Sequence, residues 1–135
     1  MKIENLLKTS SNLPLSKKLV VNLLFTYGII NGKLNDVLKP YDISIQQFNV
    51  LRILRGQKGT PVSLASVHDR MINKMSNTTR LVDKLILKGY VNRNQCEENR
   101  RKIEIYITVD GLNLLKKLDY LEKKILLRIQ ISKAY

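Results

Sequence analysis

Ser76, Asn77 and Thr78 form a run of short polar side chains at the start of a helical pattern, which then carries Arg80 and Lys84 on the flank opposite Leu81 and Leu85. Hydroxyls and amides at such a position can bond to base edges or phosphate oxygens, and asparagine can pair bidentately with adenine. Further along, Arg100 and Arg101 occupy the tip of a two-stranded pattern, flanked by Arg93 and Lys102. Adjacent guanidinium groups on a hairpin suit a narrow minor groove, whose negative potential draws them in. Lys74 and Lys88 extend the same basic surface. Each group also has a plainer reading. One of the three polar residues, Ser76 in particular, is expected to cap the helix, and charged runs commonly form solvated faces. Arg80 is read as a DNA contact, whereas Lys84 and Lys88 fit either role equally.

The overall charge agrees with a polyanionic partner. The chain holds 24 Lys+Arg against 11 Asp+Glu, a formal charge of +13, so nucleic acid or an acidic membrane face is the first expectation. At 135 residues it is long enough for one domain with a genuine core. Cys96 is the sole cysteine and His68 the sole histidine. That excludes an intrachain disulfide and a zinc site built on paired thiolates, and fits a reducing compartment. A lone thiol with no basic neighbour nearer in sequence than Arg93 reads as incidental rather than redox-sensing. With no glycine-rich phosphate loop, metal-ligand cluster or nucleophile beside a base, neither catalysis nor a cofactor is expected. The N-terminus lacks a secretory pattern, and the apolar run Leu19 to Ile30 is too short to span a bilayer. A cytoplasmic protein without a membrane segment is expected.

The elements that must position these residues follow from apolar spacing. Pro14 and Ser16 open a long helix to about Lys39, with Leu15, Leu19, Leu23, Ile30, Leu34 and Val37 at helical intervals and further apolar residues thickening its first half. Such a helix needs burial on more than one side, which points to a subunit interface, with a central core helix as the plainer alternative. Pro40 stops it, and Ser44 caps a second helix ending at Gly56. Val62 can add a short strand. Ser63 caps a third helix through about Arg70, with Leu64, Ala65 and Val67 inward, and Met71 to Asn73 turn into a fourth whose N-cap is Ser76 or Asn73. That helix buries Leu81, Val82, Leu85 and Ile86 and closes at Gly89. Val91 to Gln95 begins a ribbon, and Ile103, Ile105 and Ile107 alternate with Glu104 and Tyr106 on its return. A last helix, capped by Thr108 with Asp110, carries Leu114, Leu118, Leu121, Ile125 and Ile129 as a seam.

Three pieces in this order and spacing resemble the MarR family of bacterial winged-helix transcription regulators: ISIQQFNVLRIL, TTRLVDKLILKGYVNR and NRRKIEIYITVDGLNLL, covering roughly Ser44 to Leu115. The resemblance implies a mainly α fold with a small β wing, a winged helix-turn-helix with long N- and C-terminal dimerisation helices. On that pattern residues 1–135 form one domain, with a dimerisation helix at 14–39, the DNA-binding unit at 44–108 and a C-terminal dimerisation helix at 109–135. It further implies a homodimer on double-stranded DNA at a pseudopalindromic operator, usually as a repressor released by a small-molecule effector or oxidant; the effector here is unknown. Lys74, Ser76, Asn77, Thr78, Arg80, Lys84, Arg93, Arg100 and Arg101 are the expected DNA-binding residues, with Arg101 favoured over Arg100 for insertion into the groove. The chain departs from the pattern at Asn99, where an acidic residue often precedes the two wing arginines. It departs also in a longer segment between Val67 and Lys74, and in having 24 residues after Gly111, enough for one helix where two are usual. The rival expectation is a non-specific basic nucleic-acid binder, architectural or RNA-binding.

Overall fold

The computed structural model describes residues 3–9 and 12–133, with side chains through Arg128. After a short helix α1 (Ile3–Leu6) comes α2 (Leu15–Leu38), with Pro14 as its N-cap residue. Its path ends in a 3-10 turn at Lys39–Tyr41 that contains Pro40, and Asp42 then takes a left-handed conformation, φ 51°. This turn redirects the chain into α3 (Ile45–Gly56). There the Ser44 hydroxyl accepts from Gln47 N at 3.1 Å while Gln47 Oε1 accepts from Ser44 N at 2.9 Å, a reciprocal capping box. The left-handed residues beyond α3 are Lys58 and Gly59 rather than Gly56, which stays within the last helical turn.

Val62–Ser63 forms strand β1, followed by α4 (Leu64–Arg70), α5 (Thr78–Leu87), β2 (Val91–Gln95), β3 (Ile103–Ile107) and α6 (Val109–Lys133). The three strands form an antiparallel sheet in the order β1-β3-β2, with Val62 opposite Ile105 and Val91 opposite Ile107. The mainly helical architecture with a small wing is therefore the one expected. Beneath α5 and the wing, the core gathers Phe48, Leu51 and Leu54 from α3 with Val67, Met71, Val82, Leu85, Val91 and Ile105. Leu114, Leu115 and Leu118 anchor the start of α6 in it. The seam continues through the half-buried Leu121 and Ile125; Ile129 lies outside the described side chains. Gly111 sits where α6 meets the turn before β2: a Cβ there would stand 2.3 Å from the Tyr90 carbonyl oxygen and 2.7 Å from Ile107 Cγ1. A backbone atom cannot swing aside as a flexible side chain can, so only glycine fits.

One inward assignment is corrected. Ala65 is exposed, because the first turn of α4 faces solvent on that side and only Val67 is fully buried. Met71, at the start of the turn between α4 and α5, also inserts into the core. The helix α2 differs from both an ordinary core helix and an ordinary surface helix. Of its 24 residues only Leu38 is buried, while Leu15, Leu19, Val20, Leu23, Leu24 and Tyr27 are all exposed. Among the described residues, no helix is long and apolar enough to cross a membrane.

Candidate nucleic-acid interface

The helix-turn-helix is formed by α4 and α5, and the intervening segment from Met71 to Asn77 is held by polar side chains of its own and of α3. Asn49 on α3 accepts from Ile72 N at 2.9 Å, and Asn73 Oδ1 accepts from Met75 N at 3.0 Å. The N-cap of α5 is Asn77, not Ser76 or Asn73: its Oδ1 accepts from Arg80 N at 3.1 Å. Lys74 folds back so that its ammonium donates to the Asp69 carbonyl at the end of α4.

The apolar face of α5 determines which polar residues point out. Val82 and Leu85 are buried, and Thr78 falls on the same stripe, one turn before Val82. Thr78 is 5% exposed, and its hydroxyl lies 2.8 Å from His68 Nδ1. It therefore faces the core, against the expectation that it would meet DNA. His68 is half-buried as Thr78's partner. The outward residues are Thr79, Arg80, Asp83, Lys84 and Leu87. Thr79 escaped the sequence reading, although the three-four spacing from Val82 and Leu85 was the signal that separates it from Thr78. Replacing Thr78 by Val is expected to lower unfolding stability by about 1 kcal/mol, the usual worth of one such hydrogen bond, with little effect on DNA affinity. Urea unfolding alongside a duplex titration checks both halves; a variant of unchanged stability with weakened binding would return Thr78 to the interface.

Besides a cleft of about 640 Å³ shared by Lys84 and Lys88 with Asp42, two more flank α5. One, of about 390 Å³, runs along its outer side and brings Ser76, Asn77, Arg80 and Lys84 together with Met75 and with Ser44 and Gln46 at the start of α3. The other, of about 370 Å³, lies between α5 and the wing, and collects Thr79, Asp83, Arg93, Arg101 and Lys102 beside Ile103. Arg93 Nη1 is 3.6 Å from Asp83 Oδ1, so a pair between exposed groups spans this second cleft. Arg100 stands at the wing tip outside both. The tip itself is ordered by Asn99, whose side chain accepts from Arg101 N at 3.1 Å and whose carbonyl accepts from Lys102 N at 2.8 Å. A further bond, Cys96 N to Lys102 O at 3.0 Å, prolongs the ladder toward the tip. An acidic residue at position 99 is thus replaced by an amide that shapes the turn.

The charges divide sharply. Lys88 is drawn off the face by Asp42, 2.8 Å from its ammonium, and that bond with the accompanying attraction holds the Asp42 carboxyl below the usual aspartate range. Arg52 and Arg55 pair with Glu122 and Asp119, joining α3 to α6. Arg80, Lys84, Arg100 and Arg101, by contrast, have no carboxylate within ion-pair distance among the described residues. Phe48 is core, Tyr27 is exposed on α2, and Arg52 is held by Glu122 over the Phe48 ring. No group of three or more His, Cys, Asp or Glu side chains among the described residues is placed to hold a metal ion.

This geometry has known counterparts. The MarR family model matches residues 43–103, from the end of the 3-10 turn into the wing. The HTH-type transcriptional regulator YpoP of Bacillus subtilis is 30% identical over 100 residues, which cover 70% of this chain and 69% of YpoP. The regulator PecS of Dickeya dadantii is 31% identical over 93 residues, and the chain spans only 55% of its length. Among solved structures, a MarR transcription factor from Planctomyces limnophilus superposes with a TM-score of 0.72 at 27% identity, covering 92% of this chain and 93% of that one. With sequence, family model and fold in agreement on the helix-turn-helix and its wing, the chain belongs to the MarR family of winged-helix transcription regulators.

Proposed function

We propose that this protein binds duplex DNA sequence-specifically as a homodimer and represses transcription in the cytoplasm by occupying a pseudopalindromic operator. In this reading residues 1–135 are one domain, with helices at 14–39 and 109–135 joining two copies and residues 44–108 forming each DNA-binding lobe. The observation that carries it is the set of cations on and beside α5 that are not held in ion pairs among the described residues. Arg80 and Lys84 line one cleft, Arg101 lines the other and Arg100 stands at the wing tip, none with a carboxylate within ion-pair distance among the described residues. The exposed side of α5 fits a major groove about 12 Å wide, while the wing reaches the adjacent minor groove. Arg80 and Lys84 then hold phosphates, Asn77 and Thr79 meet bases, and Ser76, Lys74 and Arg93 support that surface.

Selection of bound fragments from a random duplex pool tests this directly. The expected product is an inverted repeat with half-sites about one helical turn, roughly 10 base pairs, apart, bound at least about a thousandfold more tightly than scrambled duplex. Equal affinity for both duplexes would replace this reading with an architectural or RNA-binding one.

A further inference from the structure

Met75 is 92% exposed in the middle of a basic surface, and it lines the same cleft as Asn77, Arg80 and Lys84. The backbone on both sides is pinned. Asn49 fixes Ile72, Asn73 Oδ1 accepts from Met75 N, and Asn73 O accepts from Ser76 N at 3.2 Å. The thioether is therefore presented outward by a held loop. Next to it the Ser76 hydroxyl is shielded from solvent and has no hydrogen-bond partner among the described residues.

The residues best suited by type to read bases are partly spent on folding. Thr78 is committed to His68, and Asn77 Oδ1 to the first turn of α5. Methionine is flexible and polarizable and adapts to irregular apolar surfaces. Along the base edges of a major groove, the apolar feature available to it is the C5 methyl of thymine. We propose that Met75 is a specificity-determining residue that packs its side chain against the C5 methyl group of one thymine in each half-site. Arg80 and Lys84, on the same cleft, grip the flanking phosphates and set the depth at which the thioether lies. This inference rests on the reading of the chain as a duplex-binding regulator.

Replacing single thymines of the selected operator by uracil removes one methyl and leaves the hydrogen-bonding edge unchanged. At one symmetric position, uracil is expected to weaken wild-type binding about fourfold per half-site, the worth of one buried methyl group. Met75→Ala is expected to bind the thymine and uracil duplexes alike at that position. Ile72 is 87% exposed on the same loop and does not line the cleft, so Ile72→Ala should keep the full discrimination. Both positions are exposed, which leaves folding intact in either variant. The proposal is overturned if no thymine is sensitive to the exchange, if Met75→Ala still discriminates, or if Ile72→Ala loses discrimination as well. A wild-type protein that binds no duplex would sink the regulator reading and this inference together, whereas tight, equal binding of thymine and uracil duplexes would sink the methyl contact alone.

Discussion

Protein carrying Ala at both Arg100 and Arg101 is expected to lose about three orders of magnitude in operator affinity at 0.1 M salt and to show a much shallower salt dependence. Each chain carries a formal charge of +13. A dimer neutralising about eight phosphates should give a slope of log affinity against log salt near −7, so that raising salt from about 50 to 200 mM weakens binding about ten-thousandfold. Neither wing arginine is engaged by a carboxylate among the described residues, so no internal pair must be broken for them to meet DNA. Two copies of the wing contribute four such charges. If each accounts for one released counterion, the double variant's slope falls to about −3.4, and the lost increment amounts to about 3.6 decades at 0.1 M relative to 1 M salt. The turn that carries them is built by Asn99 and backbone groups, so truncating the arginines leaves the wing folded. Titrations at four salt concentrations decide the matter; the same slope and affinity as wild type would show that the wing never touches the duplex.

The features legible in the sequence were those whose cause is local. Ser44 with Gln47, Ser63 at the start of α4, Gly89 after α5 and the Ile103-Ile105-Ile107 alternation are each set by a few neighbouring residues. Even the added strand at Val62 was readable from its β-branched residue beside a turn, though its partner, Ile105, is distant in sequence. The candidate site was legible as a region, whereas the direction of each side chain was not. Ser76, Asn77 and Thr78 look equivalent as a polar run, yet one shields its hydroxyl, one caps the helix and one turns inward to His68. That split depends on where α5 starts, and the long segment after Val67 left its start open by about a turn. The pairs that sort the cations had no local signature. Asp42 reaches Lys88 because the 3-10 turn and the end of α5 converge in space, and Arg52 and Arg55 meet Glu122 and Asp119 only once α3 packs on α6. Which basic residues remain for DNA is therefore a tertiary property.

Placing Glu at Leu19 and Leu23 is expected to give a folded monomer of 15.6 kDa in place of a species twice that mass, with operator affinity reduced about 10²–10⁴-fold through loss of the second lobe. These residues lie on α2, which leaves them 60% and 61% exposed. Exposed substitutions of this kind change the stability of an isolated chain by about 0.5 kcal/mol or less. A buried carboxylate pair at a dimer seam is another matter. Desolvating ions without partners costs several kcal/mol each, and an isologous interface repeats every penalty on both subunits. Helix α6 extends the same surplus of apolar surface, with Leu126 and Leu127 exposed beyond the point where Leu118 leaves the core. Sedimentation at micromolar concentration measures the mass, and far-ultraviolet circular dichroism verifies that the helices remain. The outcome that separates assembly from local damage is half-site binding: the variant should bind a single half-site as wild type does, while losing the preference for two half-sites on one duplex. A wild-type chain that sediments as a monomer, or a variant that stays dimeric and binds the full operator undiminished, would remove α2 from the interface and with it the account of why the helix carries so many uncovered leucines.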